Sequence, residues 1–312
     1  MKAIINIGTE KTGTSSIQAF LRTNRKKLLK QGFYFMKATG LFDDRKLSAY
    51  CLLEGQYDDF HLHNKINTLK KQQDFEKKLE QDMAAELSEL PKEVHTVLFS
   101  SEHMHSRVRS QEQRQKLKKL LDQHFSNVEL MAYIRPQVDM AVSLYSTALK
   151  TRATHSLAQH LKQCKPQNYY YNFFQFLNGW AADFSKEALR VRLYDREELI
   201  EGDVVSDFCK AVGVDNCNLE AVPTVNESVS PTGQAMLRRL NQFLPNFIEG
   251  EGGNEVRGDI ARKISNFYAG KGQQPTADEA KDIQSQFDEI NEKVRKKWFP
   301  NRSHLFSMNF EE

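Results

Sequence analysis

A glycine-containing loop near the start of the sequence has residue types suited to holding an anion. The segment from Gly8 to Ser15 reads GTEKTGTS. Both glycines and the serine match the phosphate-binding pattern G-x-x-x-x-G-K-[ST], but Thr14 stands at the lysine position and the lysine comes earlier, at Lys11. A lysine at the later position contacts the β and γ phosphates of a nucleoside triphosphate. The displaced lysine therefore disfavours magnesium–triphosphate chemistry.

The loop leads into a segment with helical periodicity, so we expect backbone N–H groups to contribute to the anion site. Residues 11–16 precede apolar residues that recur at helical spacing. The N–H groups at the start of a helix and the helix dipole favour an anion at that position. Thr14, Ser15 and Ser16 add hydroxyl donors. The alternative is a strand–helix turn that binds nothing.

Four polar residues lie at or just past the ends of predicted strands. They are Lys11 after the first strand, Glu102 after the third, Arg135 after the fourth and Tyr194 after the fifth. Because the carboxyl ends of parallel strands lie at one edge of a sheet, these residues can converge although they are far apart in sequence. This convergence indicates a ligand site more strongly than any single motif.

Short apolar segments alternate with helical ones along the chain. The predicted strands cover about residues 3–8, 32–36, 94–102, 128–136 and 188–199. This alternation predicts an α/β fold with a central parallel sheet of about five strands flanked by helices. We expect a single domain over residues 1–312, with a helical insertion at about 43–90 and a helical C-terminal region at about 231–312, because no Pro/Gly/Ser-rich linker separates two cores.

Composition excludes several classes of function. The chain has 312 residues, 39% of them hydrophobic and 27% charged, as in an ordinary globular protein. A formal net charge of +3 permits a local basic cleft but does not indicate a nucleic-acid-binding surface. No apolar stretch approaches the length of a membrane span, and Met1 leads directly into a predicted core strand. We therefore expect a cytoplasmic protein.

Two motifs in this order resemble a known family. Lys11 to Ser15 reads KTGTS and matches K-[ST]-G-[ST]-[ST], the loop of sulfotransferases that use 3′-phosphoadenosine 5′-phosphosulfate. The second family signature is an arginine that ends a strand and a serine eight residues later on the next helix, which Arg135 and Ser143 match in YIRPQVDMAVSLY. The resemblance covers about residues 1–230 and implies a P-loop NTPase-like three-layer architecture with a helical C-terminal part.

The resemblance also implies which residues bind the donor. Arg135 and Ser143 would hold the 3′-phosphate, and Tyr194 would pack near the adenine. The stretch from Val225 to Gly233 resembles a later donor-binding segment, although the basic R-K-G triplet of the cytosolic enzymes has no close match. The loop residues that would bind the 5′-phosphosulfate are Lys11, Thr12, Gly13, Thr14, Ser15 and Ser16.

The mechanism implied by the resemblance is in-line transfer of a sulfuryl group to an acceptor hydroxyl. Lys11 would stabilise the departing phosphate oxygen, and the product nucleotide would be adenosine 3′,5′-bisphosphate. The acceptor needs a general base, for which Glu102 and His103, in the SSEHMH segment, are the candidates. Family members use either a glutamate or a histidine, so both remain open. The chemistry needs no metal.

The expected function is therefore sulfuryl transfer from 3′-phosphoadenosine 5′-phosphosulfate to a hydroxyl. Glu102 and the long helical insertion resemble those of carbohydrate sulfotransferases more than those of the phenol-directed enzymes, which implies a carbohydrate acceptor. One alternative is a P-loop nucleotide kinase or NTPase, although the third strand finishes Ser-Ser-Glu and so lacks the expected magnesium-binding aspartate. Another alternative is a catalytically idle protein that binds nucleotide or a protein partner.

Overall fold

Five buried segments pair side by side as parallel strands. They are β1 (Lys2–Asn6), β2 (Phe33–Phe35), β3 (Thr96–Ser100), β4 (Asn127–Ile134) and β5 (Leu189–Leu193). The strand order is β2-β3-β1-β4-β5, and every pairing is parallel. The predicted α/β fold with a five-stranded parallel sheet is confirmed.

The computed structural model describes residues 1–222, 228–248 and 252–307. The chain divides into two units. The first consists of Met1–Ile134 and Gln175–Thr224 and contains the whole five-stranded sheet, and the second consists of Arg135–Phe174 and Val225–Glu312. The expectation of one domain over the full length stays a prediction.

Helices make up most of the remaining structure. In chain order they are α1 (Thr14–Thr23), α2 (Arg25–Lys30), α3 (Arg45–Tyr50), α4 (Asp59–His63), α5 (Leu69–Ser88), α6 (His103–Arg107), α7 (Gln111–Asp122), α8 (Gln137–Thr151), α9 (Leu157–Leu161), α10 (Phe173–Phe184), α11 (Val204–Val212), α12 (Pro231–Phe243), α13 (Glu255–Phe267), α14 (Ala277–Ser285) and α15 (Asp288–Trp298). Short 3₁₀ helices cover Tyr169–Tyr171 and Ile200–Gly202, and Phe247–Ile248 pairs antiparallel with Gly252–Gly253. Within the described ranges, no helix is both long and apolar enough to cross a membrane.

The direction of the strand connections determines where α1 lies in the first unit. The chain passes from β1 to β2 in one direction and from β3 to β4 in the other. Since such crossovers are right-handed, α1 and α7 pack on opposite faces of the sheet and complete three layers. Ile17, Phe20 and Leu21 of α1 are buried in a cluster with Phe208 of α11. The start of α1 therefore lies at the edge of the sheet where ligands bind in this architecture.

Buried amide side chains hold several helices of the second unit together. The Oε1 atom of Gln137 accepts hydrogen bonds from Gln284 at 2.7 Å and Asn291 at 3.2 Å. Gln137 in turn donates to Asn291 at 2.7 Å. Arg257 of α13 is also buried and donates to the backbone carbonyl of Lys150 at the end of α8, at 2.7 Å. These bonds satisfy polar groups that would be costly to bury alone.

The packing around Gly13 predicts that this position tolerates only glycine. Its φ is 77°, and a Cβ atom there would lie 2.7 Å from Val204 Cγ1 and 3.0 Å from Tyr194 Cε2. Gly213 has a similar φ of 87°, but a Cβ atom there would meet nothing within 4 Å. We expect Gly213→Ala to lose about 1 kcal/mol of unfolding free energy through backbone strain alone. Gly13→Ala should lose roughly 2–4 kcal/mol, because overpacking adds to the strain. Equal losses in urea unfolding would contradict the packing argument.

Candidate functional site

The loop between β1 and α1 is held by main-chain hydrogen bonds to Tyr133 of β4. The carbonyl of Gly8 accepts from the N–H of Tyr133 at 2.7 Å. The N–H and the hydroxyl of Thr9 both donate to the carbonyl of Tyr133, at 2.8 and 3.0 Å. Inside the loop, the hydroxyl of Thr12 donates to the carbonyl of Thr9 at 2.6 Å. The β1–β4 ladder thus extends into the loop and fixes its first half.

The second half of the loop adopts left-handed backbone conformations. Lys11 has φ 64° and Gly13 has φ 77°. The left-handed region costs a residue with a Cβ atom about 1 kcal/mol or more, and such residues cluster at functional sites. Lys11 is the residue that the sequence predicts to contact the ligand, and its side chain is half-buried at the surface. The backbone conformation at Lys11 is therefore an independent reason to place a site here.

The first turn of α1 has the features of an anion site. The first N–H groups of any α-helix have no partner within the helix. No acidic residue stands in the first turn of α1, and the N-cap residue, Gly13, has no side chain with which to cap it. Thr14 is 4% exposed, and its Oγ1 atom has no hydrogen-bond partner among the described residues. Ser15 and Ser16 are half-buried beside it. A buried hydroxyl without a partner at a helix start suits a phosphate or sulfate oxygen.

Glu102 lies next to this loop. It follows the end of β3, and a Cβ atom on Gly8 would lie 3.4 Å from its Cα atom. Its Oε2 atom accepts a hydrogen bond from Nε2 of Gln18 at 2.9 Å. Burial raises the pKa of Glu102 to about 7, and the nearby negative charge of Glu10 raises it further. A carboxyl group with a pKa near neutrality is suited to accept a proton from a hydroxyl.

The two histidines after Glu102 occupy different environments. His103 is half-buried, and burial lowers its pKa, with Arg45 lowering it as well. A neutral imidazole can accept a proton, so His103 stays a candidate base beside Glu102. His105 is fully buried and packs edge-on against Phe176, with the ring centroids 4.7 Å apart. His105 is therefore part of the core.

Tyr194 joins the loop and Glu102 at the same edge of the first unit. Its N–H donates to the carbonyl of Ile134 at 2.8 Å, which continues the β4–β5 ladder past the strand ends. Its ring packs beside Gly13. Lys11, Glu102 and Tyr194 thus follow β1, β3 and β5 of one parallel sheet. Their joint role in one ligand site stays a prediction.

Arg135 and Ser143 belong to the second unit. Arg135 follows the last residue of β4 in sequence, and its guanidinium lies 3.5 Å from the carboxylate of Asp139 in the first turn of α8. Ser143 is half-buried two turns into the same helix. The predicted placement of both residues, after a strand and on the next helix, is observed. Their role in binding a phosphate stays a prediction.

Gln18 is a site residue that the sequence did not single out. It is 5% exposed and donates from Nε2 both to Glu102 and to the carbonyl of Ser100, the latter at 3.0 Å. The sequence feature that could have identified Gln18 is its position four residues after Thr14, because side chains at i and i+4 share one face of a helix. Nothing in the sequence shows that Glu102 lies opposite this face.

Two other expectations have no test in the structure. Among the residues described, no group of three or more His, Cys, Asp or Glu side chains is placed to hold a metal ion. The expectation that the reaction needs no metal stays a prediction. In the predicted donor-binding stretch from Val225 to Gly233, residues 225–227 lie outside the described residues.

Comparison with known proteins finds distant similarity. No protein-family model matches the chain. An uncharacterized protein from Archaeoglobus fulgidus is 28% identical over 130 residues, which cover 41% of this chain and 34% of that protein. The chain thus spans about a third of the length of the relative it matches. The crystal structure of a sulfotransferase from Alicyclobacillus acidocaldarius is similar with a TM-score of 0.45 and 17% identity, over 72% of this chain and 86% of that one. A likeness of this size carries no argument about function.

The raised pKa of Glu102 predicts a pH-dependent effect of Glu102→Gln on stability. The carboxyl group holds its proton up to about pH 7 in the folded protein, but releases it near its ordinary value of 4.5 when unfolded. Because the unfolded chain releases this proton at lower pH than the folded protein does, Glu102 lowers the free energy of unfolding progressively as pH rises from 5 to 8, by about 2–3 kcal/mol. Gln cannot ionise, so we expect the melting temperature of Glu102→Gln, relative to the wild type, to rise by several degrees over this range.

The comparison is made at each pH because burial also raises the pKa of Asp44, to about 8, in both proteins. Glu187→Gln, at an exposed position, is the control and should show no such trend. A melting-temperature difference between Glu102→Gln and the wild type that stays constant from pH 5 to 8 would exclude a buried, pKa-shifted Glu102.

Proposed function

We propose that the chain is a sulfotransferase that moves a sulfuryl group from 3′-phosphoadenosine 5′-phosphosulfate to an acceptor hydroxyl. One observation carries the proposal: the loop that contains Lys11 and leads into α1 lies next to Glu102, a carboxyl group whose pKa burial raises to about 7. Such a pair supplies what sulfuryl transfer requires, which is a cation for the departing phosphate and a base for the attacking hydroxyl.

The residues of the loop fit the phosphosulfate end of the donor. The unpartnered Oγ1 atom of Thr14 and the N–H groups of the first turn would bind its oxygens. Lys11 would stabilise the negative charge that develops on the bridging oxygen as the bond to sulfur breaks. Gly13 lets the loop pack closely against Val204 and Tyr194, since a Cβ atom there would collide with Val204.

We assign the role of base to Glu102 and keep His103 as the alternative. The carboxylate of Glu102 would take the proton of the acceptor hydroxyl as the oxygen attacks sulfur in line with the leaving phosphate. At neutral pH, a group with a pKa of about 7 is partly ionised and still basic enough to accept this proton. The transfer as proposed uses no metal ion.

The remaining donor contacts in the proposal come from the family resemblance. Arg135 and Ser143 would bind the 3′-phosphate, and Tyr194 would pack near the adenine. An arginine offers a fork of donors that matches a phosphate, and a serine hydroxyl on the next helix adds one more. The proposed acceptor is a carbohydrate hydroxyl, and a cytoplasmic location is part of the same proposal.

The test compares two nucleotides and requires no acceptor. Adenosine 3′,5′-bisphosphate, the expected product, should raise the melting temperature of the wild type by several degrees. A ligand at 100 times its dissociation constant adds about 2.7 kcal/mol of stability. Magnesium–ATP should give a much smaller shift, because it has no 3′-phosphate for Arg135. The measurement is thermal unfolding at matched nucleotide concentrations.

A variant of Arg135 tests whether this residue binds the 3′-phosphate. Arg135→Ala should shrink the difference between the bisphosphate and magnesium–ATP, whereas Lys30→Ala, at an exposed lysine of α2, should leave it unchanged. A larger shift with magnesium–ATP than with the bisphosphate would overturn the proposal in favour of a nucleotide kinase or NTPase. A bisphosphate shift without sulfuryl transfer to any hydroxyl tested would indicate a catalytically idle binding protein.

A further inference from the structure

We propose that Gln18 is a positioning residue that holds the carboxylate of Glu102 in its ionised, acceptor-ready orientation and couples it to the anion loop. Gln18 lies on α1 and is not among the residues predicted to bind the donor. It rests on the proposed function for its catalytic meaning. The contact itself is a feature of the fold and is tested separately below.

The geometry of the Gln18 side chain leaves its amide little freedom. The Nε2 atom donates to Glu102 Oε2 at 2.9 Å and to the carbonyl of Ser100 at 3.0 Å. A side-chain amide nitrogen carries two hydrogens, so both are used. The side chain is 5% exposed, and water has little access to replace either bond. The amide is thus fixed by the end of β3 and presents its second hydrogen to the carboxylate.

The position of Gln18 on α1 links the two halves of the site. Thr14 stands at the start of this helix, and Gln18 follows one turn later on the same face. The four-residue step from Thr14 to Gln18 corresponds to a rise of about 6 Å along the helix. A rigid helix therefore sets the separation between the anion site and the carboxylate of Glu102. Lys11 and Glu102 lie on separate loops, and α1 would fix the distance between these loops.

The hydrogen bond from Gln18 also affects the charge of Glu102. Burial and the carboxylates of Glu10 and Asp43 favour the protonated acid, whereas the amide of Gln18 favours the ionised form. Without Gln18, only a hydrogen bond from the Glu102 backbone would oppose burial and the two like charges. The base would then be protonated over more of the neutral range, and its carboxylate would lose the group that orients it.

The experiment is a pH titration of the full-length protein with ¹³C-labelled glutamate, followed by the carboxyl signal of Glu102 in NMR spectra. The signal is assigned by its loss in Glu102→Gln. We expect Gln18→Leu to raise the pKa of Glu102 by about one unit, the effect of losing one hydrogen bond to a charged group. Gln18→Glu should raise it further, because two neighbouring carboxylates resist sharing a negative charge.

Gln72→Leu is the matched control. Gln72 is a glutamine of α5 with 1% exposure, and its amide donates to the backbone carbonyl of Leu53 at 3.0 Å and contacts no carboxylate in the described hydrogen bonds. It should leave the pKa of Glu102 unchanged. An unchanged Glu102 titration in Gln18→Leu, or the same shift in Gln72→Leu, would overturn the inference.

A second readout separates this inference from the proposed function. Gln18→Leu should bind adenosine 3′,5′-bisphosphate with a dissociation constant within about twofold of the wild-type value, as measured by thermal shift. The reason is that Gln18 is not among the residues predicted to bind the donor. A loss of at least tenfold would mean that Gln18 shapes the anion loop, and would contradict a role specific to Glu102. Absence of the shift in the wild type would remove the proposed function, while the titration would still decide whether Gln18 controls Glu102.

Discussion

The candidate site depends on the main-chain pairing between Tyr133 and the loop that follows β1. The N–H of Tyr133 donates to the carbonyl of Gly8, and the N–H and hydroxyl of Thr9 donate to the carbonyl of Tyr133. These three hydrogen bonds carry the sheet ladder past the strand ends. The loop then has to turn within a few residues into α1, which it does through left-handed conformations at Lys11 and Gly13. Because the first half is fixed to the sheet, the strain of the second half is borne by the fold, and the start of α1 is available to an anion.

The same helix gives the site its second group. Burial of Ile17, Phe20 and Leu21 fixes the rotation of α1 on the sheet, and this rotation leaves Thr14 and Gln18 on the side of β3 and Glu102. Thr14 and Gln18 are buried on the same face of α1 as Ile17 and Leu21, so the packing of that face also positions these two polar side chains. A raised pKa at Glu102 follows from burial beside this helix, and the amide of Gln18 moderates it. Fold stability and proton affinity are linked at this carboxyl group.

The fold was largely predictable from the sequence, and the site only in part. Apolar runs ending in polar residues located the five strands, and the alternation with helices made the sheet parallel, so Lys11, Glu102 and Tyr194 could be placed at one edge. Contacts that depend on side-chain packing were not predictable. Gln18 looks like any polar residue on an amphipathic helix, and only the register of α1 against β3 shows that it meets Glu102. The burial of His105 against Phe176 was likewise invisible, because a histidine near a strand end carries no signal of its environment.

The position of the nucleotide's 5′-phosphate tests the central claim most directly. A crystal structure with adenosine 3′,5′-bisphosphate should show this phosphate at the start of α1, within hydrogen-bonding distance of Lys11 and of the Thr14 hydroxyl. The 5′-phosphate oxygen that carries the sulfuryl group in the donor should face Glu102. A 5′-phosphate bound away from α1, or one that reaches α1 with Lys11 turned from it, would contradict the account.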